Sequence, residues 1–173
     1  MTKQIKIKAA VLHNINKNLL LKNIYHNGQL SENQVLVKLF YTGICGSQIG
    51  EIKGVKGKDR YLPHLLGHEA TGKIIKISTK IKNFKKNDKV ILHWQKNPGK
   101  NSKTPIYFDK DNSRVNAGWV TTFNNYAIIS KNRLTKLPKK INLKEGVLFG
   151  CALTTAYGSI FKDSKINLKK KNK

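Results

Sequence analysis

Short segments in which apolar residues recur at every second position, each closed by a turn signal, run through this chain of 173 residues. A period of two places alternate side chains on opposite faces of an extended backbone, so each segment predicts a half-buried strand. Residues 4–12 put Ile5, Ile7 and Ala9 on one face. Residues 34–41 (QVLVKLFY) are β-branched and aromatic with the same period and stop at Thr42-Gly43. Residues 69–78 (EATGKIIKIS) predict another strand, with Gly72 placed for a bulge or bend. Asn87-Asp88 turns the chain into residues 89–93 (KVILH), and residues 123–129 and 133–137 add two more. Short strands separated by turns predict a mainly β fold with a few helices (α+β), built on a closed or partly closed β-barrel.

Helices are fewer. Asn142 is placed as an N-cap with Glu145 three positions on as its capping-box partner, and a second helix is expected over Thr154–Phe161. Between Gln95 and Gly118 lies a polar stretch rich in Lys, Asn, Ser and Pro, expected as a solvated loop. No apolar run exceeds a few residues, so no helix is expected to span a bilayer, and the first residues lack the apolar core of a secretory signal. Two cysteines, Cys45 and Cys151, cannot form a disulfide framework, and a cytoplasmic protein with reduced thiols is expected.

The 34 basic residues against 9 acidic ones give a formal charge of +25. Such a balance raises nucleic acid as a partner. Arginine, the side chain that clamps phosphates and reads bases, occurs only at Arg60, Arg114 and Arg133. The lysines are spread along the chain and travel with many asparagines and isoleucines, as AT-rich coding would produce. A basic β-barrel that binds nucleic acid is therefore the disfavoured alternative; Phe40-Tyr41 and Phe123/Tyr126 are too few and scattered to form a stacking platform.

Chemistry concentrates in three glycine-flanked stretches: Gly43-Ile44-Cys45-Gly46-Ser47, Gly67-His68-Glu69 and Gly150-Cys151. Two thiolates and one imidazole make a three-ligand zinc site with an open fourth position, the catalytic rather than the structural pattern. Soft sulfur donors favour zinc over magnesium or calcium. Gly46 and Gly150 are expected to let backbone approach the metal, and a helix beginning near Cys45 to favour its thiolate.

In order, KAAVL, QVLVKLFYTGICGS, LPHLLGHEATG, NDKVILH and GCALTTAYGS resemble the N-terminal, GroES-like catalytic domain of the zinc-dependent medium-chain alcohol dehydrogenases. The resemblance implies a GroES-like barrel over residues 1–150, with residues 151–173 as a linker helix and the start of a cofactor-binding domain. It implies that Cys45, His68 and Cys151 hold one catalytic zinc, and that Glu69 lies behind the metal and can enter its coordination. Ser47 would take the proton of a small-molecule alcohol, with an aldehyde or ketone as the product. NAD or NADP would serve the complete enzyme, and oligomers would form through the cofactor domain.

Gln48 stands where the family usually has an aspartate that orients the zinc histidine; its amide oxygen can still accept the imidazole proton, but with less charge, so a less basic ligand is expected. Gly50 stands where some members place a relay histidine, and Ser78 where the signature expects Gly or Ala. Residues 95–118 contain no cysteine, so the structural zinc lobe is not expected. Trp94 is expected as a core or rim aromatic. No two of the 13 glycines are spaced i, i+2, so the dinucleotide fingerprint is absent. A fragment of a longer enzyme, or a truncated and inactive GroES-like relic, is the corresponding expectation.

Overall fold

A computed structural model describes residues 4–164. Among these residues, ten strands form two five-stranded sheets. They are β1 (Ile5–Leu12), β2 (Leu20–His26), β3 (Gln34–Thr42), β4 (His64–Leu65), β5 (Ala70–Ile77), β6 (Lys89–Leu92), β7 (Tyr107–Phe108), β8 (Arg114–Val115), β9 (Tyr126–Ser130) and β10 (Leu134–Lys136). One sheet has the order β4-β1-β2-β7-β8 and the other β10-β6-β5-β3-β9, with antiparallel neighbours throughout. Residues 123–125 stitch the sheets together: Ala10 N–H donates to Phe123 O at 2.8 Å, and Leu39 N–H to Asn125 O at 3.0 Å. A partly closed barrel results.

Two apolar clusters fill it. Val35, Val37, Ile74, Val90, Leu92 and Ile129 pack on one face of the second sheet. Leu36 and Ile128, at the alternate positions of β3 and β9, face Ile7, Val11, Ile24 and Tyr107 of the first. Both faces of β3 are therefore covered over Val35–Val37, where consecutive residues are buried, whereas Lys38 and Phe40 in its second half are exposed. Ile7, Ala9 and Val11 are buried as the alternation of β1 predicts.

The stretch 95–118 departs from the expected solvated loop. Tyr107 and Val115 pair across a small hairpin, and both are wholly buried in the first sheet's cluster. Polar side chains pin the rest: Ser130 Oγ accepts Ser102 N–H at 2.9 Å, and Gln34 Nε2 donates to Lys103 O at 2.8 Å. Lysine and asparagine are the commonest residues here, so two wholly buried apolar side chains in 24 residues leave no periodic signal. Strand β2 was equally hidden, because Lys22 and Asn23 interrupt its apolar positions.

Helix α1 (Gly46–Ile52) begins directly after Cys45. Asn142 Oδ1 accepts the Glu145 N–H at 2.8 Å, capping the one-turn helix α2 (Leu143–Gly146). A 3₁₀ turn over Val147–Gly150 leads to α3 (Ala152–Gly158), which continues as a wider turn through Asp163 and has no buried residue. No helix among the described residues is long and apolar enough to cross a membrane.

Gly72 sits opposite Leu39 where the β3–β5 register shifts. A Cβ there would lie 2.4 Å from Lys38 O and 2.6 Å from Val37 Cγ1, so only glycine lets the two backbones meet. Gly72→Ala is predicted to cost about 1–3 kcal/mol in urea unfolding. Gly158→Ala, in open space on a helix, should be neutral or stabilising. Equal stability of the two variants would contradict this packing.

Candidate metal centre

Three separate elements bring their ends together here. Strand β3 ends at Thr42, and Cys45 forms the N-cap of α1. Residues 66–69 join β4 to β5 and carry His68 and Glu69. Cys151 lies between the 3₁₀ turn and α3. The sulfurs of Cys45 and Cys151 are 3.9 Å apart, although 106 positions separate them in sequence. One ligand atom from each of Cys45, His68 and Cys151 lies within 4.8 Å of the others. A tetrahedral ion with two bonds of about 2.3 Å to sulfur would hold those sulfurs about 3.8 Å apart.

The electrostatics suit a cation. His68 Nε2 is buried without a hydrogen-bond partner among the described residues, and burial lowers the imidazole pKa. The ring is thus held neutral with a lone pair available, the form that ligates metals. Ser47 Oγ donates to Cys45 Sγ at 3.3 Å; this bond, with the Ser47 backbone N–H, pulls the Cys45 thiol below its ordinary range. Desolvation acts oppositely on Cys151, pushing its thiol up to about 11. Glu69 is 5% exposed, and desolvation raises its carboxyl pKa, partly offset by the Ala152 backbone N–H. Its Oε2 is buried without a partner among the described residues.

Two of the flanking glycines have packing roles that the sequence did not indicate. A Cβ on Gly46 would meet nothing within 4 Å among the described residues. A Cβ on Gly43 would lie 2.7 Å from Glu69 Cδ, and one on Gly150 would lie 2.7 Å from Glu69 Cβ. Gly43 and Gly150 therefore form the slot in which the Glu69 side chain lies. Gly67 has φ +88, and a Cβ there would collide with Thr122 Oγ1 at 2.3 Å.

Gln48 also departs from expectation. Its Oε1 accepts the Gly67 backbone N–H, and its Nε2 donates to Glu51 Oε2 at 3.2 Å. The amide is used on backbone rather than on the imidazole. Sequence alone did not indicate this bond, because it depends on a loop conformation that only the positive φ of Gly67 creates. Trp94 is half-exposed at the rim, its backbone N–H donating to Gly150 O at 3.3 Å. A second group, Glu51, Asp59 and His64, also has ligand atoms within 4.8 Å of one another. There His64 Nε2 is already bonded to Asp59 Oδ2 at 2.7 Å.

Residues 31–139 match the alcohol dehydrogenase GroES-like domain. The rabbit (Oryctolagus cuniculus) alcohol dehydrogenase class-2 isozyme 2 is 26% identical over 192 aligned positions, covering 95% of this chain and 50% of the relative. An alcohol dehydrogenase zinc-binding domain protein from Burkholderia ambifaria superposes with a TM-score of 0.81 at 17% identity, over 95% of this chain and 50% of that one. Benzyl alcohol dehydrogenase from Acinetobacter calcoaceticus gives 0.76 at 24% identity, over 94% and 49%. The alcohol dehydrogenase of Aeropyrum pernix gives 0.70 at 25% identity, over 91% and 48%. The chain spans about half the length of these relatives. With 109 residues (31–139) of its 173 inside the match, the chain belongs to the alcohol dehydrogenase GroES-like domain family.

Proposed function

We propose that this chain is the catalytic domain of a zinc-dependent, NAD(P)-linked oxidoreductase acting on a small alcohol or its carbonyl product. The observation that carries this reading is the convergence of two sulfurs 3.9 Å apart with His68 Nε2, which has no hydrogen-bond partner among the described residues. Cys45, His68 and Cys151 would hold the ion, which supplies Lewis acidity toward the substrate oxygen. Residues 1–150 form the catalytic unit in this reading, and residues 151–173 lead from it toward the part that holds the nicotinamide.

The chain's own side chains divide the remaining work. Ser47 is exposed beside Cys45 and is placed to receive the alcohol's proton on Oγ. Gly50 offers no side chain for an onward relay, so the proton passes from Ser47 to solvent. Glu69, its carboxyl desolvated between Gly43 and Gly150, sets a negative or protonatable wall behind the thiols. In the complete protein, Ser47→Ala is predicted to lower kcat about 10²–10⁴-fold with zinc content unchanged, by steady-state kinetics and elemental analysis. An unaffected kcat would remove Ser47 from the proton path.

Metal content tests the centre itself. The chain should bind one zinc, and Cys45→Ala should abolish tight binding, because two protein ligands rarely retain the ion. Two zincs per chain, or full retention by Cys45→Ala, would contradict the assignment.

Binding should also depend on pH. Loading the site displaces the Cys151 proton, whose pKa is raised to about 11, and part or all of the Cys45 proton, whose pKa is lowered. Affinity therefore rises with pH through neutrality, by roughly 10- to 100-fold per unit for one to two protons released. A pH-independent affinity between pH 6 and 8, measured by chelator competition, would exclude thiol ligation.

A further inference from the structure

We propose that Gln48 is a positioning residue for the metal centre: it ties the Cys45 helix to the His68 backbone through the Gly67 N–H, and Glu51 sets which way its amide faces. The proposal rests on the zinc assignment above. Gln48 follows Cys45, the N-cap of α1, by three positions, and its backbone N–H donates to Cys45 O at 3.0 Å. It is 6% exposed, the buried residue of that helix.

The two ends of a carboxamide are nearly isosteric, so its orientation must come from its partners. Glu51 Oε2 can only accept when ionised, which turns Nε2 toward it and leaves Oε1 for the Gly67 N–H. From the opposite side, Thr122 and Phe123 crowd the position of Gly67. The residue before His68 is thus gripped between two elements, and its Cα lies only about 3.8 Å from that of His68. Slack at Gly67 would pass directly to the imidazole. One buried amide therefore fixes the spacing of two ligands that come from different parts of the chain.

The test uses Gln48→Leu, Gln48→Glu and the exchanged pair Gln48→Glu/Glu51→Gln in the full chain. Zinc affinity would be read by chelator competition and ligand geometry by the visible spectrum after cobalt(II) substitution. Gln48→Leu should weaken zinc binding by about 10–100-fold and alter the cobalt spectrum. Gln48→Glu should also weaken it, because two carboxylates then face each other. The exchanged pair should recover affinity, since it restores both an acceptor for Gly67 and a donor between the two side chains. Tyr107→Phe serves as the control: it removes the acceptor of the Ile128 N–H, 3.0 Å away in the other cluster, and should lower stability without weakening zinc binding. Wild-type affinity in Gln48→Leu, equal weakening in Tyr107→Phe, or no recovery in the exchanged pair would overturn the positioning role alone. Failure of the unaltered chain to bind any metal would overturn the zinc assignment and this role together.

Discussion

The backbone between Leu66 and Ala70 is held from three directions, and the position of every candidate ligand follows from that restraint. Thr122 N–H and Phe123 N–H both donate to Leu66 O, at 3.0 and 3.1 Å. Gln48 takes the Gly67 N–H from the side of α1. Gly43 N–H and Thr42 Oγ1 both donate to Glu69 O at 3.0 Å, from the end of β3. The strand that leads into Cys45 is thereby bonded to the segment that carries His68. Cys151 joins through Gly150, whose missing side chain lets the chain lie against Glu69 and Leu92. Buried peptide groups need partners, and here the partners come from the elements that supply the ligands.

This arrangement carries a cost in the metal-free chain. His68 Nε2 and Glu69 Oε2 are both buried without partners among the described residues, and the Cys151 thiol is desolvated. Unpaired buried polar groups of this kind each cost on the order of 1–3 kcal/mol. A bound cation would satisfy the imidazole and both sulfurs at once, so metal binding and folding are thermodynamically linked. The sign follows for Glu69: a folded-state pKa raised above its unfolded value opposes folding once the group ionises, and acidification removes that penalty. Elsewhere the structure concentrates stability in two apolar clusters on either side of β3.

Much of this was legible in the sequence. The period of two located β1, β3, β5 and β6, and Gly72 marked the bulge between β3 and β5. Two cysteines and a histidine, each beside glycine, identified the residues that converge, although no spacing could give their distances. One glycine role was not foreseen: Gly43, two residues beyond the apolar run, makes room for Glu69. Gln48 was expected on the imidazole and lies on backbone instead. The hairpin of β7 and β8 went unseen because its buried residues, Tyr107 and Val115, lie on strands of two residues each, too short to show a period. Local pattern reports faces and turns, whereas these contacts depend on which segments the fold places side by side.

X-ray absorption spectroscopy at the zinc edge of the loaded chain tests the central claim most directly, because it counts the donors themselves. Two sulfur scatterers at about 2.3 Å and one imidazole nitrogen at about 2.0–2.1 Å, with a light atom completing the shell, is the result predicted for Cys45, Cys151 and His68. A shell of nitrogen and oxygen alone, or one with a single sulfur, would contradict it.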